Sequence, residues 1–208
     1  MTEWQRSLFD LVDVPGVDPG FGGLEHWDLS GGAWLEYVPG WVRRHDLVFD
    51  SLVDTVPWRS ERRPMYDRTV DVPRLVCFYG DEESLPHPVL VDAFAQIQGR
   101  YGSSSGGPVA TASACLYRDG RDSVAWHGDR IGRGSTHDTL VAIVSLGQRR
   151  RFLLRPVAGG PSRRFELGAG DLLVMGGRSQ QAWEHSVPKT VRPVGPRLSV
   201  QFRSVGAG

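Results

Sequence analysis

Cysteine is nearly missing from this chain: its 208 residues hold two, Cys77 and Cys115. Two thiols cannot build a disulfide framework, which excludes a small stapled secreted scaffold. Lysine is scarcer still, with Lys189 the only one among 24 basic residues. Long apolar runs are absent as well, since nothing approaches the roughly 18 residues of a membrane span. No basic leader with an apolar stretch behind it opens the chain, and no fixed-period repeat is visible. The expectation is therefore a soluble, reduced, cytoplasmic protein with no membrane attachment. What is present, 40% apolar residues and seven tryptophans, suits one well-buried globular domain.

The formal net charge is zero, but it is unevenly laid out. Residues 1–100 carry nine basic and seventeen acidic side chains, and residues 101–208 carry fifteen and seven. Because the basic residues are almost all arginine, the C-terminal half has the side chain best suited to bidentate phosphate contacts. Its densest stretches are "QRRRFLLRP" (148–156) and "SRRF" (162–165). The same arginines also fit solvated strand faces.

Three stretches divide the chain: an N-terminal extension over 1–40, a region of supporting helices and loops over 41–108, and a β-rich core over 109–208, all within one structural domain. The first is rich in Gly, Pro and Asp and reads as an extended arm with at most short strands. Helical spacing of Val48, Leu52 and Val56, stopped by Pro57, predicts a helix over about 40–56. Val91, Phe94 and Ile97 predict another over 87–100. From 109 onward short strands alternate with Gly and Pro turns, and nothing helical is expected beyond Gly107. The class is α+β, mainly β, and a sandwich or jelly roll is the architecture that fits.

The stretch "AWHGD" places His127 and Asp129 two apart, on one face of an extended chain. Two histidines and a carboxylate with open positions are what a non-haem Fe(II) oxygenase needs. His185 in "WEHSVP" is the natural third ligand. His137 is an alternative to His127, but no carboxylate follows it by two. Trp126 would point away from His127, toward the core. In "RLSVQFR" Arg197 and Arg203 stand six apart and so share a face. Two cations on a buried face need an anion, such as a dicarboxylate. An edge strand with both arginines in water fits the same spacing.

Together "CLYRDGRDSVAWHGD" (115–129), "VAIVSLGQRRRFLLRP" (141–156), "GDLLVMGG" (170–177), "WEHSVP" (183–188) and "PRLSVQFR" (196–203) resemble the AlkB family of Fe(II)- and 2-oxoglutarate-dependent dioxygenases. "VPRLVCFYGD" (72–81) resembles the family's segment ahead of the catalytic core. The resemblance implies a double-stranded β-helix, a jelly roll, with the N-terminal helices packed on one face. It implies catalytic iron held by His127, Asp129 and His185, and 2-oxoglutarate bound by Tyr117, Arg197 and Arg203. The implied reaction consumes O2 and 2-oxoglutarate, yields succinate and CO2, and hydroxylates an N-alkyl carbon so that an aldehyde leaves and the base is restored. The implied substrate is alkylated DNA, single-stranded or with a flipped base, with RNA as the alternative, and the implied enzyme is a monomer.

Departures from the family pattern fall close to the site. Cys115 and Ser199 stand where the pattern has asparagines, which removes two side-chain amides beside the co-substrate. Arg130 stands where repair members carry an acid facing the alkylated base, and an arginine there repels a cationic lesion. Asp138 is a candidate to supply that acid instead. Trp58, Tyr66, Phe78 and Tyr79, with Arg74, are the candidate lid for an extruded base, although each also fits ordinary packing. Two other functions remain open on these residues: an oxygenase acting on RNA modification, protein or a small molecule, and a non-catalytic nucleic-acid-binding module.

Overall fold

A computed structural model describes residues 14–65, 68–80, 85–103, 107–128 and 138–204. In chain order, strands β1 (Gly16–Val17), β2 (Glu25–Leu29), β3 (Ala33–Val38) and β4 (Val42–Arg43) lead into helix α1 (His45–Thr55). Strands β5 (Arg59–Met65) and β6 (Arg68–Tyr79) precede helix α2 (Pro88–Tyr101). Then come β7 (Val109–Tyr117), β8 (Val124–His127), β9 (Val141–Gly147), β10 (Arg150–Pro156), β11 (Arg163–Leu167) and β12 (Asp171–Gly177). A single helical turn, α3 (Ser179–Ala182), joins these to β13 (Trp183–Val187) and β14 (Arg197–Ser204).

Two antiparallel sheets form the body. The large one runs β2-β3-β12-β9-β14-β7-β6-β5 and the small one β11-β10-β13-β8, which is the jelly roll the sequence predicts. β14 lies inside the large sheet, between β9 and β7, so it is no edge strand. Its alternation therefore serves two cores. Leu198, Val200 and Phe202 face the helix layer, whereas Arg197, Ser199, Gln201 and Arg203 face the small sheet.

The helices cover the outer side of the large sheet. Pro88 opens α2 where its missing N–H costs nothing, and the His87 ring nitrogen accepts from the Val89 amide at 3.1 Å as its cap. Leu90, Ala93, Ile97 and Tyr101 form the buried stripe. Val91, expected on that stripe, is 51% exposed; the spacing of 90, 93, 97 and 101 turns it to solvent. On α1, Val48 and Leu52 are buried as predicted. Burying a side chain such as Leu52 or Ile97 is worth about 1.5–3 kcal/mol.

Two other expectations change. The 1–40 stretch supplies β2 and β3, and β3 pairs along its whole length with core strand β12, so its apolar residues at 33, 35 and 38 finish the large sheet. And α3 places one helical turn after Gly107, where the Arg178 carbonyl caps the chain as it crosses from β12 to β13. Among the described residues no helix is long and apolar enough to cross a membrane.

Candidate metal and anion site between the sheets

The two histidines meet in the small sheet. β13 pairs with β8 so that His185 stands opposite His127, and their ring centroids are 4.2 Å apart. Phe152, on the next strand, stacks on His185 at 5.4 Å and 22°. His185 is 8% exposed. Burial first, then the charges of His127, Arg203 and Arg74, holds it well below the ordinary histidine range, which leaves a neutral imidazole fit to bind a cation. His127 Nδ1 lies 2.8 Å from the Ala125 carbonyl, an acceptor, so Nδ1 carries the proton and Nε2 the lone pair. Asp129, Arg130, Tyr66 and His137 lie outside the described residues. Asp138 is exposed just beyond that gap.

Facing the histidines across the interior is the Arg197 strip. Arg197 is 1% exposed; Nη2 donates to Ser145 Oγ at 2.6 Å, and the buried Nε has no partner. Among the described residues it forms no ion pair. Its guanidinium carbon sits 5.4 Å from the Tyr117 ring centroid, and that of Arg150 sits 6.0 Å from the same ring. Burial pushes the Tyr117 hydroxyl up to about 12, so it stays protonated as a donor. A buried cation with an unspent donor, beside a phenol that donates, calls for an anion. Two facing histidines, His185 neutral and His127 presenting its Nε2 lone pair, call for a metal. The residues present fit both groups: His127 and His185 would hold iron, and Arg197 with Tyr117 would hold a carboxylate of 2-oxoglutarate.

The strand parity of β6 sorts the candidate lid. Arg74, Val76 and Phe78 face the inter-sheet interior, while Leu75, Cys77 and Tyr79 face the helices. Arg74 therefore belongs to the site, its Nη1 donating to the Ser123 carbonyl at 3.4 Å and its Nε buried without a partner. Phe78, 60% exposed, stands at the same face, opposite Ser113 in the ladder. Tyr79 is buried in the helix-side core, which takes it away from any base. Trp58 is also a correction: its indole packs on the helix side and donates to the Val53 carbonyl at 3.1 Å. Trp126 is half-buried rather than core, with Arg155 stacked 4.2 Å from its ring.

The arginine-rich stretches also divide. Arg150 is 3% exposed and donates to the carbonyls of Asp119, Asp122 and Pro188, so it is a buried clamp on two loops and no phosphate contact. Arg149 pairs with the fully buried Asp171 at 2.7 Å. Arg164 and Arg151 pair with Glu166, and Arg155 with Glu184. The run "RRR" hides its inward member, yet Phe152 and Leu154 are interior and parity carries that face back to 150. Parity from Arg197 and Arg203 likewise points to Gln201, the interior residue that the motif reading missed.

Comparison with known proteins shows the family and the fold. Residues 37–203 match the family model of the 2OG-Fe(II) oxygenase superfamily. Alpha-ketoglutarate-dependent dioxygenase alkB homolog 3 of Bos taurus is 33% identical over 192 residues, covering 80% of this chain and 64% of that protein. The chain thus spans a little under two thirds of that relative's length. DNA oxidative demethylase ALKBH2 of Arabidopsis thaliana is 26% identical over 226 residues, covering 86% of this chain and 68% of its own. In fold, the chain is similar to a 2OG-Fe(II) oxygenase family oxidoreductase from Burkholderia pseudomallei, at a TM-score of 0.57 and 18% identity, covering 84% of this chain and 86% of the other.

Proposed function

Because the chain is an AlkB-like member of the 2OG-Fe(II) oxygenase superfamily, and so an iron- and 2-oxoglutarate-dependent dioxygenase, we propose that it removes alkyl groups from the bases of nucleic acid, with alkylated DNA as its substrate. The observation that carries this reading is the pairing of His127 with His185 opposite a buried arginine that forms no ion pair among the described residues. When bound, iron with 2-oxoglutarate and O2 supplies the oxidation that hydroxylates the N-alkyl carbon, giving succinate, CO2 and, after loss of an aldehyde, the restored base.

The chain's own residues bind, orient and exclude water. His127 and His185, with Asp129, would hold the metal. The buried Phe152 stacks on the His185 ring and orients it. Arg197 and the protonated Tyr117 would donate to one carboxylate of the co-substrate, in a dry environment where such bonds are strong. The β5–β6 hairpin sits at the edge of the large sheet, and Phe78 and Arg74 from β6 supply an apolar surface and a cation beside an extruded base. The ion-paired surface arginines of β10 and β11 can exchange carboxylates for phosphates at little cost, since exposed pairs are worth about 0–1 kcal/mol.

The test is incubation with Fe(II), 2-oxoglutarate, ascorbate and O2 and with single-stranded oligonucleotides bearing 1-methyladenine or 3-methylcytosine. Loss of the methyl group by mass spectrometry is the expected result. Succinate without demethylation keeps the oxygenase and overturns the assigned substrate.

A further inference from the structure

The inner face of β14 holds a hydrogen-bond relay centred on Gln201, a residue 8% exposed. A guanidinium can only donate. Arg203 Nη1 lies 2.7 Å from Ser113 Oγ, which makes that oxygen an acceptor, and its one proton then goes to Gln201 Oε1 at 2.9 Å. This fixes the orientation of the amide. Nε2 is left to donate to Ser199 Oγ at 2.5 Å and to the Ser199 carbonyl at 3.2 Å. The Cys115 thiol points at the same Oε1 from 3.8 Å. One carboxamide therefore touches both positions, 115 and 199, at which this chain lacks the asparagines of the AlkB pattern.

We propose that Gln201 is a positioning residue for 2-oxoglutarate: its single carboxamide replaces the two missing side-chain amides and holds Ser199, Cys115 and, through Ser113, Arg203 in register on the co-substrate face. The inference rests on the co-substrate reading above. Register supports it, because β14 pairs Ser199 with both Cys115 and Ser145 and pairs Gln201 with Ser113, which puts the relay beside the Ser145 that orients Arg197. The bonds that Gln201 itself makes are buried and the Arg203–Ser113 link is part-buried, so a bond broken at Gln201 leaves a polar atom without water. The carboxamide bonds to Ser113, Cys115 and Ser199, so its effect runs through the groups it holds.

The experiment measures the dissociation constant of 2-oxoglutarate by calorimetry on the full chain, with Mn(II) in place of Fe(II) so that no turnover occurs. Gln201→Thr is expected to weaken binding about tenfold. The triple variant C115N/S199N/Q201T, which restores the two amides by another route, is expected to bind within about threefold of wild type. Thermal melts report folding, and Ser113→Ala, which cuts the relay at a single oxygen, gives the same test should Q201T fail to fold. Q201T binding as wild type would overturn the inference, as would a triple variant no tighter than Q201T, which marks a merely structural residue. Wild type failing to bind 2-oxoglutarate at all would instead overturn the co-substrate reading, a result separable from the other two.

Discussion

His185 stands directly opposite His127 in the β13–β8 ladder, with ring centroids 4.2 Å apart, and Phe152 stacks on its other side. Two imidazoles held this close, with the His185 ring buried and neutral, are arranged to share a cation. Replacing either by alanine is expected to reduce turnover by about 100-fold or more, because a ligand position of the metal is lost. His137→Ala is expected to leave most of the activity. Succinate release by the three variants checks the assignment, and the opposite pattern would move the metal to His137.

Arg197 carries a different signature. Its charge is buried, bonded to Ser145 and without an ion pair among the described residues, an arrangement that costs stability. Arg197→Met keeps the volume and removes that charge. The expected outcome is a melting temperature equal to or above wild type together with 2-oxoglutarate binding weakened about 10–100-fold. Calorimetry with Mn(II) and a thermal melt on the same samples check both halves.

Much of this fold was legible in the sequence, and the failures share one cause. The alternation of 197–203 and the turn signals from 109 onward correctly predict a jelly roll, and Val48 with Leu52 correctly predict the buried face of α1. However, both faces of the large sheet are buried, one under the helices and one under the small sheet. Parity then separates Phe78 from Tyr79 without saying which faces the site. The same ambiguity hid Arg150 among its exposed neighbours. His127, His185 and Arg197, which their chemistry rather than their hydrophobicity marks in the sequence, lie on β8, β13 and β14, with the two histidines paired.

Nucleic-acid binding should follow burial among the arginines. Arg150→Met is expected to leave the salt dependence of binding to a single-stranded oligonucleotide unchanged, because its donors are spent on the carbonyls of Asp119, Asp122 and Pro188. Replacing the exposed Arg163 and Arg164 together by alanine is expected to reduce the slope of log K against log salt by about 1. Fluorescence anisotropy across a salt series reads both.

On the edge of the large sheet, His26 lies 3.1 Å from Glu36 and 3.3 Å from Asp28, and Arg100 and Tyr101 meet the other Glu36 oxygen. The Glu36 bond first, then that to Asp28, raises His26 above the ordinary histidine value. A raised folded-state value means a stabilising contribution complete below the unfolded pKa and lost as pH rises through the folded one. NMR titration is expected to show His26 titrating above a free histidine and falling back in Glu36→Gln.

The helix-side core sets the stability of the sheet that carries the site. Phe202 is fully buried with Phe94 edge-on at 6.2 Å, so Phe202→Ala is expected to cost about 3–5 kcal/mol in urea unfolding.

The most direct test of the central claim is stoichiometry. Purified protein with Fe(II), 2-oxoglutarate and O2 is given a 1-methyladenine oligonucleotide, and succinate and formaldehyde are counted in the same reaction. The site described here predicts the two products in near-equal amounts, both abolished by His185→Ala. Demethylation that proceeds without succinate, or a His185→Ala variant that still makes both, would contradict it.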